Sequence, residues 1–376
     1  MSSVTTFVGL DYHQDSVQVC VLDAQGKQLL NRSVSNDANV IQRVATQHGT
    51  PTRVAIEACC GAADLAEELA TRRGLPVELA HPGYVARLKR SPDKTDLGDA
   101  QLLADLARVN YLPRVWLAPE ATRQLRRLVR HRTQLVRRRT DVKLRMRALL
   151  RENRLRCPDA RAWTKAWLAW LTEQAKLSTS DRWLMEDHLA ELRSLTERIA
   201  AVEQKIATAT SDDPVVAQLL NLSGVGLVTA ATLRAEIGRF ERFDTGKQLA
   251  RFCGVTPRNA SSGARQADAG LIQAGNPELR KVLIELAHRL IRMLDPKWGQ
   301  LAAGMLQRGK PKNVVVAAVA NRWVRWLHHE LRKETTIKSE STSARARQKG
   351  AAPSLHHALG RCDGEDGRGS REDQAT

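Results

Sequence analysis

The sequence predicts an α/β N-terminal domain, a middle region of long helices and a mostly α C-terminal domain. Three observations predict it. Short β-branched and apolar runs alternate with turn residues through residue 80; apolar residues then recur at three- and four-residue spacing in a strongly basic segment; Gly-punctuated helical patterns follow from residue 212. A chain of 376 residues is long enough for two or three domains and at least one sizeable core.

Residues 4 to 11 (VTTFVGLD), 16 to 23 (SVQVCVLD) and 27 to 34 (KQLLNRSV) read as three consecutive antiparallel strands, with Asp23 and Gly26 supplying a turn. A helix is expected from Asn36 to about Gln47, a fourth strand from Arg53 to Glu57, a second helix from Ala62 to Arg73 and a fifth strand from Pro76 to Ala80. Three strands, helix, strand, helix, strand is the element order of an RNase H-like sheet, although other small α/β domains share it. After the Ser91-Pro92 breaker, KTDLGDAQLLADLA opens another helix.

From Arg114 to Arg156 there are fifteen Lys or Arg against three acidic residues, whereas residues 1 to 113 carry eleven basic against thirteen acidic. The basic segment places Leu125, Leu128, Leu135, Val142, Met146 and Leu149 along one seam, with Arg132 and Arg139 at its two remaining positions. Leu192, Leu195, Ile199, Val202, Ile206 and Ala209 repeat the spacing. The two stretches suit a long helical hairpin or a coiled coil with another chain, and ordinary core packing accounts for the pattern equally well. Trp163, Trp167 and Trp170 between them read as packing residues. The expected division is therefore 1–113, a carboxylate domain; 114–211, a basic long-helix region; 212–333, a C-terminal domain; and 334–376, a disordered tail rich in Ser, Ala, Gly, Arg and Asp.

The formal charge of +18 and a sequence pI of about 10.2 favour a polyanionic partner such as DNA or RNA. Six cysteines without a CxxC pair give neither a zinc site nor a disulfide framework, which suits a reducing cytoplasm. With no signal-peptide pattern and no apolar stretch of membrane-spanning length, a soluble, cytoplasmic protein is expected.

Four carboxylates stand out. Asp11 closes the first strand in GLDYH and Glu57 closes the fourth in VAIEA; in an RNase H-like sheet these strands are neighbours, so the two charges would face each other. Asp96 and Asp99, three apart, share one face of a helical first turn, where Asp is also favoured simply as a cap. Asp15, Asp93 and Asp105 read as solvated surface groups. An all-oxygen ligand set, with no Cys or His, favours Mg²⁺ or Mn²⁺ over zinc and suits two-metal phosphoryl transfer. Farther on, Gly224-Val225-Gly226 lies between apolar helical segments, either as a plain turn or as a helix-hairpin-helix-like element whose N–H groups contact a phosphate. In PRNASSG, small hydroxyl residues read as a flexible loop flanked by Arg258 and Arg265. Asn276-Pro277 reads as an N-cap followed by the first helical residue.

GLDYH, AIEA and KTDLGDA resemble the D, E and DxxD signatures of the DEDD transposases of the insertion-sequence one-ten family, also known as bridge-RNA-guided recombinases. SGVGLVTAATLRAEIGRFERFDTGKQLARFCGVTPRNASSG resembles that family's C-terminal transposase domain, and the similarity continues through GNPELRKVL to KNVVVAAVANRWVRW. The resemblance covers roughly residues 5 to 333, and two blocks in the right order are more specific than either alone. It implies a RuvC-like N-terminal domain and metal ions held by Asp11, Glu57, Asp96 and Asp99. It further implies a nucleophilic serine at Ser262, with Ser261 the adjacent alternative, assisted by Arg258 and Arg265. DNA element ends and target, an element-encoded noncoding guide RNA, and a homo-oligomer (dimer or tetramer) are the implied partners. Arg137, Arg138 and Arg139 are candidate nucleic-acid contacts on the basic helix. The family commonly has a Lys before the GN pair, where this chain has Gln273.

Overall fold

The computed structural model describes residues 5–89, 95–157, 160–259 and 268–350. Its N-terminal part is built on strands β1 (Thr6–Tyr12), β2 (Ser16–Asp23), β3 (Gln28–Ser35), β4 (Pro51–Glu57), β5 (Val77–Ala80) and β6 (Arg114–Val115), in the order β3-β2-β1-β4-β5-β6. The first three strands form an antiparallel meander, β4 and β5 lie parallel to β1, and β6 returns antiparallel on β5. The predicted strands are all present, and β1 and β4 are neighbours as expected.

Strand alternation decides which side chains meet which helices. Val8 and Leu10 of β1, Val17, Val19 and Val21 of β2, and Val54 and Ile56 of β4 share one buried cluster with helices α1 (Ala38–Ala45) and α2 (Ala62–Thr71). The opposite parity carries Gly9, Cys20, Leu22 and Ala55, and this face packs against a helix running Asp96–Arg108 through Ala100, Leu103, Ala104 and Ala107. A short helix, α3 (Pro82–Leu88), precedes it, so the Asp96–Arg108 helix is α4. Gly9 and Ala55 are register partners on adjacent strands, which leaves a shallow floor for α4. The contact is so close that a Cβ on Gly9 would lie 2.0 Å from the Ala100 carbonyl oxygen and 2.5 Å from the Ala104 nitrogen.

Two elements here have weak sequence signals. Helix α3 is capped by His81, whose Nδ1 accepts from the Gly83 N–H, instead of by the usual Ser, Thr, Asp or Asn. Strand β6 is a two-residue edge held by Arg114 Nε against Glu78 at 3.0 Å, and it carries the sheet past residue 113, where the sequence suggests a change of domain.

Helix α5 (Glu120–Glu152) is the long basic helix, and α6 (Lys165–Glu173) and α7 (Thr179–Thr210) follow. Early residues of α5 meet late residues of α7, as with Val129 and Ile206, while Met146 and Leu150 lie in a cluster with Met185 and Leu189, so the two helices run antiparallel. Seam residue Arg132 binds Glu203 of α7 at 2.7 Å. Val129 and Leu150 are buried where Leu128 and Leu149 were expected; a helix of 3.6 residues per turn drifts from a 3.5-residue pattern over this length. Trp163, Trp167 and Trp170 pack with their rings tilted against one another in the same core, as expected.

The C-terminal part comprises α8 (Pro214–Leu220), α9 (Leu227–Ile237), α10 (Gly246–Phe252), strands β7 (Pro257–Asn259) and β8 (Asp268–Leu271), then α11 (Pro277–Arg292), α12 (Trp298–Gln307) and α13 (Lys312–Gly350). Its core gathers Leu233, Leu249, Leu283, Leu286, Trp323 and Leu327. The loop expected around PRNASSG begins instead as β7, paired antiparallel with β8. Helix α13 continues to Gly350, into the stretch expected to be a disordered tail; ETTIKSESTSARARQK contains no Gly or Pro to stop a helix already anchored by its packed first half. Residues 351–376 of that tail lie outside the described residues.

The approach of α4 to β1 predicts that Gly9→Ala will lower stability by about 1–3 kcal/mol or more, because the methyl group meets helix backbone that has no rotamer to adjust. Chemical denaturation of both proteins measures the loss.

Candidate metal-dependent active site

Strand parity that brings Gly9 and Ala55 under α4 also directs the residues two farther along, Asp11 and Glu57, to the same face. Leu10 and Ile56 are parallel register partners, so the two acids follow at the same level on the carboxyl edge of the sheet. Helix α4 begins above that edge. Its N-cap is Thr95, whose hydroxyl accepts from the Gly98 N–H at 3.2 Å, so neither Asp96 nor Asp99 performs the capping that alone would account for them. Asp96 is the first helical residue and Asp99 lies one turn on.

The side chains converge. His13 Nε2 lies 3.3 Å from Asp11 Oδ2 and 3.3 Å from Asp96 Oδ2, and ligand atoms of these three residues all lie within 4.8 Å of one another. Asp11 is 17% exposed and Asp96 53%. Burial raises the Asp11 carboxyl above the ordinary carboxylate range; His13 opposes the rise, and the nearby charges of Asp99 and Asp96 add to it. Asp99, 14% exposed, is held by Lys89 Nζ at 2.7 Å. Glu57 is half-buried, and after burial itself, its charge and that of Asp11 push the Cys59 thiol up. Three of the four predicted acids are thus electrostatically coupled at Asp11, with Glu57 beside it in register. Asp105, read as a surface group, is paired with Arg108 at 2.6 Å.

The cluster suits a cation. Asp11 Oδ2 and His13 Nε2 are both buried and make no hydrogen bond in this protein, although they lie in contact. Orphaned acceptors in a repelling group are costly unless a positive charge completes them. The sequence expectation named no histidine, yet His13 meets the acids: it stands two residues after Asp11, and in extended chain that spacing returns it to the same side. The Asp-x-His spacing in GLDYH was the available signal.

At the second predicted site, Ser261, Ser262 and Arg265 lie outside the described residues. Arg258 is exposed on β7. Gln273 is exposed, and its carbonyl accepts from Arg280, which also binds the carbonyls of Gly254 at 2.9 Å and Ile272 at 2.9 Å. Asn276 caps α11 as predicted, and its amide nitrogen donates to Glu236 at 2.8 Å. Gly224 has φ +73° against Leu286 and Leu290, Gly226 is the N-cap of α9, and the Val225 N–H is taken by the Leu222 carbonyl, leaving fewer donors in this turn than its sequence suggests. On α5, Arg137 and Arg138 are exposed and Arg139 is half-buried near Lys143.

Among the described residues, no helix is long and apolar enough to cross a membrane. Residues 8–154 match the transposase model of the IS110-type DEDD enzymes, and residues 216–302 match the model described as transposase of the IS116/IS110/IS902 family. A probable family 20 transposase of Pseudomonas aeruginosa is 33% identical over 76% of this chain and 85% of its own length. The transposase of insertion sequence element IS1328 of Yersinia enterocolitica is 28% identical over 85% of this chain and 95% of its own. That of IS1111A of Coxiella burnetii is 27% identical over 85% and 88%. These matches span both parts of the molecule in the same order, and the chain belongs to the IS110 family of DEDD transposases, enzymes that cut and rejoin DNA.

Proposed function

We propose that the chain cuts and rejoins the ends of a bacterial insertion sequence in the cytoplasm with a composite site: a RuvC-like carboxylate domain (1–113) and a C-terminal domain (212–333) that presents Ser262, linked by the basic helices (114–211). The observation that carries the reading is the convergence of Asp11 with Asp96 and Asp99 at the carboxyl edge of β1, level with Glu57. DEDD transposases generally use divalent metal ions, and the acids here would hold Mg²⁺ or Mn²⁺. Such ions, when bound, activate an attacking oxygen and stabilise a leaving one. The carboxylates would put that chemistry beside the first turn of α4.

In the C-terminal domain the Ser262 hydroxyl, or that of Ser261, would attack a DNA phosphorus and displace one strand's oxygen, leaving a phosphoserine ester. Arg258 and Arg265 would neutralise the phosphate. No base adjoins the serine in sequence, which suits a site completed by the carboxylate domain, either of the same chain or of another protomer in a dimer or tetramer. The turn at Gly224 and Gly226 would act as a helix-hairpin-helix-like phosphate contact. A noncoding guide RNA of the element would supply target choice, and the exposed face of α5 at Arg137 and Arg138 suits a nucleic-acid backbone.

Asp11→Asn is expected to reduce strand cleavage by more than about a hundredfold, the range for groups one step farther from a metal. It should also raise the metal-free melting temperature. A carboxyl with a raised folded-state pKa is a source of instability above its unfolded pKa, so removing its charge stabilises the fold at neutral pH. Cleavage assays and thermal melts with chelator check the two signs. Ser262→Ala should abolish a covalent protein–DNA adduct on denaturing gels while Ser261→Ala retains it; an adduct that survives Ser262→Ala moves the nucleophile elsewhere. Replacing Arg137, Arg138 and Arg139 with Ala should weaken nucleic-acid binding and flatten the plot of log affinity against log salt by about 2–3, one phosphate contact per arginine contributing about 0.9 on duplex DNA.

A further inference from the structure

We propose that His13 is a nitrogen ligand of the metal site, making it a mixed oxygen–nitrogen site that takes Mn²⁺ in preference to Mg²⁺. The inference rests on the reading of Asp11 and Asp96 as metal ligands and goes beyond the four carboxylates.

Geometry distinguishes a ligand from a hydrogen-bonding neighbour here. A protonated imidazole serving a carboxylate sits about 2.7–2.9 Å from one oxygen with good alignment. His13 Nε2 is instead equidistant, 3.3 Å from an oxygen of Asp11 and 3.3 Å from an oxygen of Asp96, longer than such a bond to either. Octahedral coordination at about 2.1 Å sets adjacent donors about 3 Å apart, close to both separations. With its lone pair in the cluster, Nε2 would add a third acceptor to two mutually repelling ones, an arrangement that a cation resolves.

The backbone fixes this placement. The His13 N–H donates to the Ser16 carbonyl at 2.9 Å, and the Asn36 side-chain amide donates to the His13 carbonyl at 3.1 Å. The turn after β1 is thus tied at both ends, and the imidazole is presented from a held backbone while Asp11 comes from the strand and Asp96 from α4. Two donors from the end of β1 and its tied turn, and one from the first turn of α4, form a preorganised set. Imidazole is a borderline ligand that suits Mn²⁺ better than Mg²⁺, which prefers oxygen donors and retained water. The nitrogen therefore acts as a selector.

The test uses the full chain and Mn²⁺ alone as the probe. Mn²⁺ is titrated with continuous-wave EPR counting free ion, and the bound ion is examined by pulsed EPR for nitrogen coupling from a directly coordinated imidazole, in protein with natural and with ¹⁵N-labelled histidine. The expected result is a ¹⁴N coupling that changes to the ¹⁵N pattern on labelling and disappears in His13→Ala and His13→Asn. Mn²⁺ affinity should fall about tenfold or more in both variants, and Mg²⁺ competition should change less. Bound Mn²⁺ without nitrogen coupling in the unsubstituted protein overturns the proposal and leaves the carboxylate site standing. Failure to bind Mn²⁺ at all overturns both. The isotope comparison needs no variant, so a misfolded substitution cannot mask the answer.

Discussion

Backbone contact between α4 and β1 is the constraint on which the site depends. Helices usually stand off a sheet by the length of the side chains packed between them. Over Gly9 there is no side chain to keep them apart, and its register partner Ala55 contributes only a methyl group. Lowering the start of α4 toward the carboxyl edge brings Asp96 and Asp99 within electrostatic reach of Asp11. A larger residue at either floor position would leave the same four acids on the same elements but farther apart. The small residues two positions before Asp11 and Glu57 are therefore part of the site, although they carry no chemistry.

That closeness has an electrostatic cost, visible at Asp11 as a carboxyl raised by burial and by two acidic neighbours. Part of it is offset within the fold, where Lys89 holds Asp99 directly. The cation on Asp99 comes from the end of α3, a helix started by His81 and Pro82 straight after β5. The short helix so weakly signalled in sequence thus delivers the counter-charge. Functional sites commonly hold such unrelieved repulsion, which ligand binding then removes.

The β1 to β4 adjacency and the elements that carry the four acids were legible in sequence because each rests on a strong local rule: strand periodicity, terminal position on a strand, and two acids one turn apart on a helix. His13 was passed over because a single histidine beside a strand end has many mundane explanations, and only the tertiary meeting with Asp96 separates them. The seam of α5 was read at the right period but slipped to Val129 and Leu150, since the helix follows its own repeat. Strands β6 and β7 are two and three residues long, too short for any periodicity to register. Helix α13 ran past the expected boundary because composition alone describes the average of a segment, whereas a helix is extended from the packed turn before it.

Charge counting along α5 needs a similar refinement. The first half of the helix is rich in arginine, yet Arg123 is bound to Asp64, Glu67 and Glu120, Arg130 makes two bonds to the buried Glu236, and Arg132 binds Glu203. Arg126 donates to the Ala235 carbonyl and stacks beside Trp116, which itself fills the space above Gly238. These arginines join α2 of the carboxylate domain and α9 of the C-terminal domain to one helix. Glu236 is 1% exposed, and its charge is tolerable only because Arg130 and Asn276 together satisfy it. Asn276 also caps α11, which begins shortly after β8, the strand paired with the PRN segment that leads into the predicted serine loop. A single buried carboxylate therefore ties the basic helix to the element flanking that loop. Past Leu135, Arg137 and Arg138 are exposed, so the same helix serves first as a structural spine and then presents a positively charged face to solvent.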